Sequence, residues 1–281
     1  MAQTGRALGR TFSKAGRELI NSNSGRSDLI ELEGVSIYFG GIHALEGVDL
    51  KLEGVGIQGL IGPNGSGKST LINVVTGYYK PTKGRVLLNG REISGLSPYD
   101  LVRLGITRTF QNPRIFNGLS VLENVMVGQH SHLKSGFWAS ALKRRFTRAE
   151  EKAAREEAIK LLHLVGLHDK AYLQGKSLAY GDLRRLELAR ALASNPSVLL
   201  LDEPAAGMNE TETVTLMSLV KQVAADRHIS LLLVEHNMTA VMNYSRTISV
   251  LDEGKKIAEG VPEEIKNDSR VIESYMGRRN R

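Results

Sequence analysis

With 281 residues, 41% of them hydrophobic and 24% charged, the chain can bury one substantial core and reads as a soluble globular protein. It has no cysteine, which excludes a disulfide framework, a thiolate metal site and a cysteine nucleophile. Its apolar runs are short, such as LLLV at 231–234, against the ~20 residues of a membrane-spanning helix. The net charge of +7 sits at the ends: residues 1–28 contribute +3 and the terminal RRNR another +3. The body between is nearly neutral, so no basic face for nucleic acid is implied.

In chain order, residues 1–28 are rich in Gly, Ser and Arg and read as a tail. Leu8, Phe12, Ala15 and Leu19 recur at helical spacing, with Arg6, Arg10, Lys14 and Arg17 on other faces. That pattern fits a basic helix on anionic lipid or an organelle-targeting peptide. The apolar stripe is thin, which favours a solvated tail. Strands follow in LIELEGVSIYF (29–39) and VDLKL (48–52), and VLLNGREI (86–93) reads as a hairpin turning at Asn89-Gly90. The apolar strand VGIQGLI (55–61) runs into GPNGSGKST, and a helix through TLINVVT should stop at Gly77, with Pro81 beyond.

Residues 129–166 differ in character. Thr147 with Glu150 forms a capping-box signal, and Ala154, Ala158, Leu161, Leu162 and Val165 mark one face of a helix ending near Gly166. Glu151–Arg155 and Glu156–Lys160 are spaced as i,i+4 ion pairs. A helix from about 182, a strand at 198–202, a helix at 210–226 and a strand at 229–234 then alternate. This alternation predicts an α/β fold with a mostly parallel sheet. The expected division is a tail over 1–28 and one domain over 29–281, with a helical insertion at about 112–185 and a C-terminal segment at about 251–281.

Gly62, Pro63, Asn64, Gly65, Ser66, Gly67, Lys68, Ser69 and Thr70 satisfy G-x-x-x-x-G-K-[ST] between a predicted strand and a predicted helix. Glycines let backbone N–H groups approach phosphate oxygens, and the helix N-terminus adds positive potential. Lys68 is placed to reach the β- and γ-phosphates and Ser69 to ligate Mg²⁺. The apolar strand VLLLDEP delivers Asp202, a candidate Mg²⁺ residue, and Glu203, a candidate to orient or deprotonate the attacking water. His236, ending the strand ISLLLV, is a candidate γ-phosphate contact; Gln111 in RTFQNP says little by itself.

The order of GPNGSGKST, Gln111, LAYGD, LLLDEP, AAGMN and VEHN resembles the ATP-binding subunit of ABC transporters over residues 29–281. RTFQNPRIFNGLSVLENVMVG, LAYGDLRRLELARAL and VIESYMG further resemble the importers of branched-chain amino acids and related amides. The resemblance implies a P-loop NTPase with a RecA-like core, an antiparallel β subdomain and an inserted α-helical subdomain. It implies ATP and Mg²⁺ as cofactors and a head-to-tail pair with a second ATPase protomer, itself or a sibling. Two transmembrane permease subunits, and indirectly an extracytoplasmic substrate-binding protein, complete the implied assembly at the cytoplasmic face of the membrane. Leu178, Ala179, Tyr180, Gly181 and Asp182 would be the signature that covers the partner's nucleotide. Phe39 would stack on adenine, with Tyr38 as the fallback; Asn209 would lie at the dimer seam; Gln111 would sense Mg²⁺ and the attacking water.

Two departures stand out. Against the common LSGGQ signature, Ala179 lacks the serine hydroxyl, Tyr180 replaces glycine and Asp182 replaces glutamine. A carboxylate ~5 Å from a phosphate charge at an effective dielectric of ~20 is repelled by about 3 kcal/mol, against about 0.3–1 kcal/mol gained from the helix dipole. Asp182 should therefore turn away from the γ-phosphate, towards free N–H groups of its own helix or solvent. Glu210 stands where the family often has proline, which should loosen the start of that helix. Three other readings are an export ATPase for lipid or lipopolysaccharide, an ABC ATPase of DNA repair or translation, and a nucleotide-binding module without turnover. The second lacks its usual second cassette or basic body here, and Lys68, Asp202, Glu203 and His236 speak against the third.

Overall fold

A computed structural model describes residues 30–109, 111, 114–129 and 147–276. Residues 1–29, on which the expected tail falls, 130–146 of the expected insertion and the basic C-terminal residues lie outside the described part, and so does the side chain of Thr147 with its capping-box expectation. Two sheets form. In the first, β1 (Ile30–Phe39) pairs antiparallel with β2 (Ile42–Leu52) and β4 (Lys83–Leu88), and β5 (Arg91–Glu92) closes the edge. Strand β2 starts six residues before the expected VDLKL, because its first half follows β1 back across the Gly40-Gly41 turn with mostly exposed side chains. Asn89 and Gly90 both take positive φ, 50° and 76°, as a type I′ turn requires.

The second sheet has the order β10-β9-β3-β8-β7-β6. It comprises β3 (Gly56–Ile61), β6 (Ile106–Arg108), β7 (Val198–Asp202), β8 (Ser230–Val234) and β9 (Thr247–Asp252), all parallel, with β10 (Lys255–Gly260) antiparallel at the edge. Strands β7 and β8 are buried throughout, and alternate residues serve opposite faces. Val198, Leu200, Leu232 and Val234 join a core beneath the antiparallel sheet with α1 (Lys68–Val75). Leu199, Leu201, Leu231 and Leu233 join a second core with the helices of the opposite face.

Those helices include α3 (Val121–Gly128), α4 (Thr147–Leu164), α5 (Tyr180–Leu192) and α6 (Glu210–Asp226); a short α2 (Pro98–Arg103) precedes β6. Three more, α7 (Met238–Tyr244), α8 (Pro262–Asn267) and α9 (Ser269–Met276), complete the described chain. The apolar face expected of α4 is the observed one, since Ala154, Ala158, Leu161, Leu162 and Val165 are all buried. Its ion pairs are displaced from the expected ones: Lys152 pairs with Glu156 at 3.9 Å and Glu157 with Lys160 at 3.4 Å. Arg155 instead lies 5.8 Å from the Tyr172 ring centroid. Exposed pairs of this kind contribute only about 0.2–1 kcal/mol, too little to fix their register.

Candidate active site

The loop from Gly62 to Gly67 joins the end of β3 to α1. Two of its glycines are dictated by protein contacts. A Cβ on Gly62 (φ +154°) would lie 2.1 Å from the Leu251 carbonyl oxygen, and one on Gly67 (φ +104°) 2.7 Å from that of Ala44. Gly65 (φ +79°) faces open space. Gly67 caps α1 with no side-chain hydrogen bond, and the first turn carries no acid. Helix N–H groups left without a side-chain cap suit an anion. Lys68 lies in the loop, its Nζ donating to the carbonyl oxygens of Gly62 (2.7 Å) and Pro63 (2.9 Å). Asn64 and Ser69 are exposed, Thr70 is half-buried, and Pro63 and Ser66 are buried. The loop thus fits a polyphosphate.

Strands β6, β7 and β8 run parallel in the same sheet as β3, so their carboxyl ends lie at the edge from which the loop starts. Glu203 follows β7 at φ +50°, a left-handed conformation that costs a non-glycine residue of order 1 kcal/mol. Its N–H is held by the Val234 carbonyl at 2.8 Å. The carboxylate accepts from Gln111 Nε2 at 2.7 Å on one oxygen and meets His236 Nε2 at 2.7 Å on the other. Side chains that follow two other strands therefore converge on the carboxylate that follows β7. Asp202 is buried and paired through one oxygen with Arg108 at 2.7 Å, and Arg108 also holds Asn73 at 2.6 Å. Ser69, Gln111 and Asp202 offer a hydroxyl, an amide and a carboxylate. This is a sparse oxygen set, of the kind that serves Mg²⁺ when phosphates and water supply the remaining ligands.

Glu235 had no role on sequence grounds. It is buried and accepts from the N–H of Ala205 at 2.8 Å and of His236 at 3.2 Å, tying the loop after Glu203 to the loop that carries His236. Burial pushes its carboxyl above the usual range, and backbone N–H donors oppose that shift. The available signal was an acid directly continuing the apolar strand LLLV.

Phe39 is 46% exposed, edge-on to Tyr79 at 5.2 Å. Tyr38 has His43 at 4.4 Å and the Lys83 ammonium at 5.7 Å from its ring centroid, which leaves Phe39 the more accessible aromatic face. Leu178 is buried, while Ala179 and Tyr180 are exposed at the start of α5, where Ala179 is the N-cap without a side-chain bond. Asn209 caps α6, accepting from the Glu212 N–H at 2.9 Å while Glu212 returns to the Asn209 N–H at 3.0 Å. This reciprocal box corrects the expectation of a loosened helix start: two donors are satisfied without proline.

Asp182 also requires a correction. Its carboxylate turns neither to free N–H groups nor to solvent. It is buried, paired with Lys170 and, at 2.6 Å, with Arg185. A buried carboxylate is tolerated when cations compensate its lost hydration. Removing one member of a buried pair costs about 3–5 kcal/mol. Here Lys170 and Arg185 remain 44% and 34% exposed, which reduces the loss to about 1–2 kcal/mol. Asp182→Asn is therefore expected to lower the melting temperature by about 2–8 °C while changing ATP turnover less than about tenfold. A hundredfold acceleration of turnover would mean that the charge faces phosphate after all.

A phosphate loop between a central parallel strand and a helix, facing a carboxylate at neighbouring strand ends, defines a P-loop nucleotide-binding protein. A family described as ABC transporter matches residues 45–206, and one described as branched-chain amino acid ATP-binding cassette transporter matches residues 255–279. The chain belongs to the ABC transporter family, as an ATP-binding subunit with ATPase activity. It is 42% identical over 249 residues to the high-affinity branched-chain amino acid transport ATP-binding protein BraF of Pseudomonas aeruginosa, covering 89% of this chain and 98% of that one. The corresponding protein LivG of Escherichia coli gives the same identity and coverage. Among solved structures, a nucleotide-free ATP-binding cassette from an ABC transporter superposes with TM-score 0.77 at 35% identity, covering 89% of this chain and 99% of that one. A dimeric bacterial ABC transporter cassette gives TM-score 0.69 at 25% identity, covering 83% and 98%.

Proposed function

We propose that the chain hydrolyses ATP, with Mg²⁺, to drive import of branched-chain amino acids or related amides. The observation that carries hydrolysis is Glu203, held by Gln111 and His236 at 2.7 Å each at the same sheet edge as the phosphate loop. In this reading Glu203 orients or deprotonates the attacking water, Lys68 contacts the β- and γ-phosphates and His236 the γ-phosphate. Gly62 to Thr70 cradle the phosphates and Phe39 takes the adenine. Ser69, Gln111 and Asp202 would hold Mg²⁺, which neutralises charge on the phosphates when bound.

A second cassette, this chain or a sibling, closes head to tail, so that Leu178 to Asp182 cover the partner's nucleotide and Asn209 lies at the seam. Two permease subunits transmit the closure, and a substrate-binding protein outside the membrane selects cargo. No helix among the described residues is long and apolar enough to cross a membrane; in this reading the chain attaches peripherally, at the cytoplasmic face, as its transport ATP-binding relatives imply. The branched-chain cargo rests on the relatives' names and on the matched C-terminal segment, residues 255–279. The native complex, purified with its companions and placed in vesicles, should take up labelled leucine or a short amide when supplied with ATP. Export of lipid with no uptake of either would overturn the assignment.

A further inference from the structure

The tyrosine that replaces a signature glycine makes contacts that a glycine cannot. The Tyr180 phenol donates to the Ala206 carbonyl oxygen at 2.9 Å and accepts from Arg184 Nη2 at 2.7 Å. The same Nη2 donates to the main-chain oxygen of Gln111 at 2.6 Å, so both its hydrogens are committed. The Arg184 guanidinium lies 5.2 Å from the Tyr180 ring centroid, and Glu187 sits 3.5 Å from its Nη1. The Arg184 side chain is only 2% exposed. A glycine at 207 admits the tyrosine ring, since a Cβ there would lie 3.3 Å from it.

Both arms of this network end at one residue, Glu203, one on its carboxylate and the other on its main-chain carbonyl. Gln111, whose carbonyl Arg184 grips, donates its side-chain amide to Glu203. Ala206, whose carbonyl Tyr180 grips, donates its N–H to the Glu203 carbonyl oxygen at 3.1 Å. Such bonds are directional and act at short range, so displacing the start of α5 moves the anchor points of Glu203.

We propose that Tyr180 and Arg184 are positioning residues that couple the signature segment covering the partner's nucleotide to Glu203 in this chain's own site. Each composite site thereby reports its occupancy to the other through a connection lying wholly within this chain. This inference rests on the proposed dimer and on Glu203 as the residue that prepares water.

The test separates action within the chain from action across the dimer. Tyr180→Phe keeps the ring and removes only the hydroxyl, whereas truncating the buried Arg184 endangers folding. The variant is made in the full complex in two backgrounds. In the first, the second cassette's equivalent strand-end carboxylate is changed to its amide, so that only this chain's Glu203 turns over. In the second, Glu203→Gln leaves only the partner's site, which uses this chain's signature.

Losing a hydrogen bond to a charged group corresponds to roughly a tenfold effect. Tyr180→Phe is expected to lower kcat about tenfold in the first background with KM for ATP unchanged, and by a clearly smaller factor in the second, where any loss reports the signature's own cover of the partner's nucleotide. No loss in the first background, equal loss in both, or a rise in KM without a fall in kcat overturns the coupling. The doubly blocked complex is the separate check on the underlying reading. If it still hydrolyses ATP at the first-background rate, Glu203 is not the residue that prepares water, and the coupling falls with it.

Discussion

Glu203→Gln is expected to bind ATP with unchanged affinity and to lose turnover by about 10²–10³-fold, the scale of a positioned general base. The substitution retains shape and one acceptor, so the backbone anchor from Glu203 N–H to the Val234 oxygen has no reason to move. It removes the charge that His236 and Gln111 approach from two sides at 2.7 Å. A neutral amide cannot take a proton from water, and its NH₂ competes with the imidazole and amide donors already there. The positive φ of Glu203 sharpens the expectation, because a strained backbone persists only where its surroundings hold it. Phosphate release on the purified complex, read beside a nucleotide-binding titration, checks both halves. Unchanged hydrolysis would remove Glu203 from the mechanism.

What the sequence made legible was whatever short-range backbone geometry determines. The phosphate loop is one, since its glycines, lysine and flanking strand and helix occupy consecutive positions. The carboxyl-end residues of β7 and β8 are another: a fully apolar strand must be buried, and its polar continuation must emerge at an edge of the sheet. Side-chain pairings distant in sequence were not legible. Asp182 was expected to turn to free N–H groups of its own helix or to solvent, but its destination depended on Lys170, which the chain brings alongside through a 3₁₀ turn at His168–Lys170. Tyr180 read as a departure from glycine; that its hydroxyl reaches Ala206 required the packing of α5 against the loop after β7. Glu235 was hidden for the same reason, since its value lies in N–H groups from two separate loops.

Gly67→Ala is expected to lower nucleotide affinity by at least about a hundredfold and the melting temperature by about 5–15 °C. Two costs combine. At φ +104° a side chain is strained whatever the space, at roughly 1–3 kcal/mol. The added methyl would also lie 2.7 Å from the Ala44 oxygen and 2.8 Å from Leu45 Cδ2, and overpacking of that kind costs about 1–3 kcal/mol more. The Leu45 side chain is fully buried, and the Ala44 oxygen belongs to β2 between His43 and Leu45, which pair with Tyr38 and Ile37 of β1. The loop must shift instead, carrying the first turn of α1 and Lys68 with it. Gly65→Ala supplies the contrast: its φ of +79° is also positive, but nothing lies within 4 Å of the added carbon. Its melting temperature should fall by no more than about 2–6 °C. Affinity should nevertheless drop, because the methyl enters the open side of the loop, where a phosphate would sit. Nucleotide titration and thermal melting on the two variants separate a loop that must keep its shape from a surface that must stay bare. Equal affinity of Gly65→Ala and the unaltered protein would place the phosphates elsewhere.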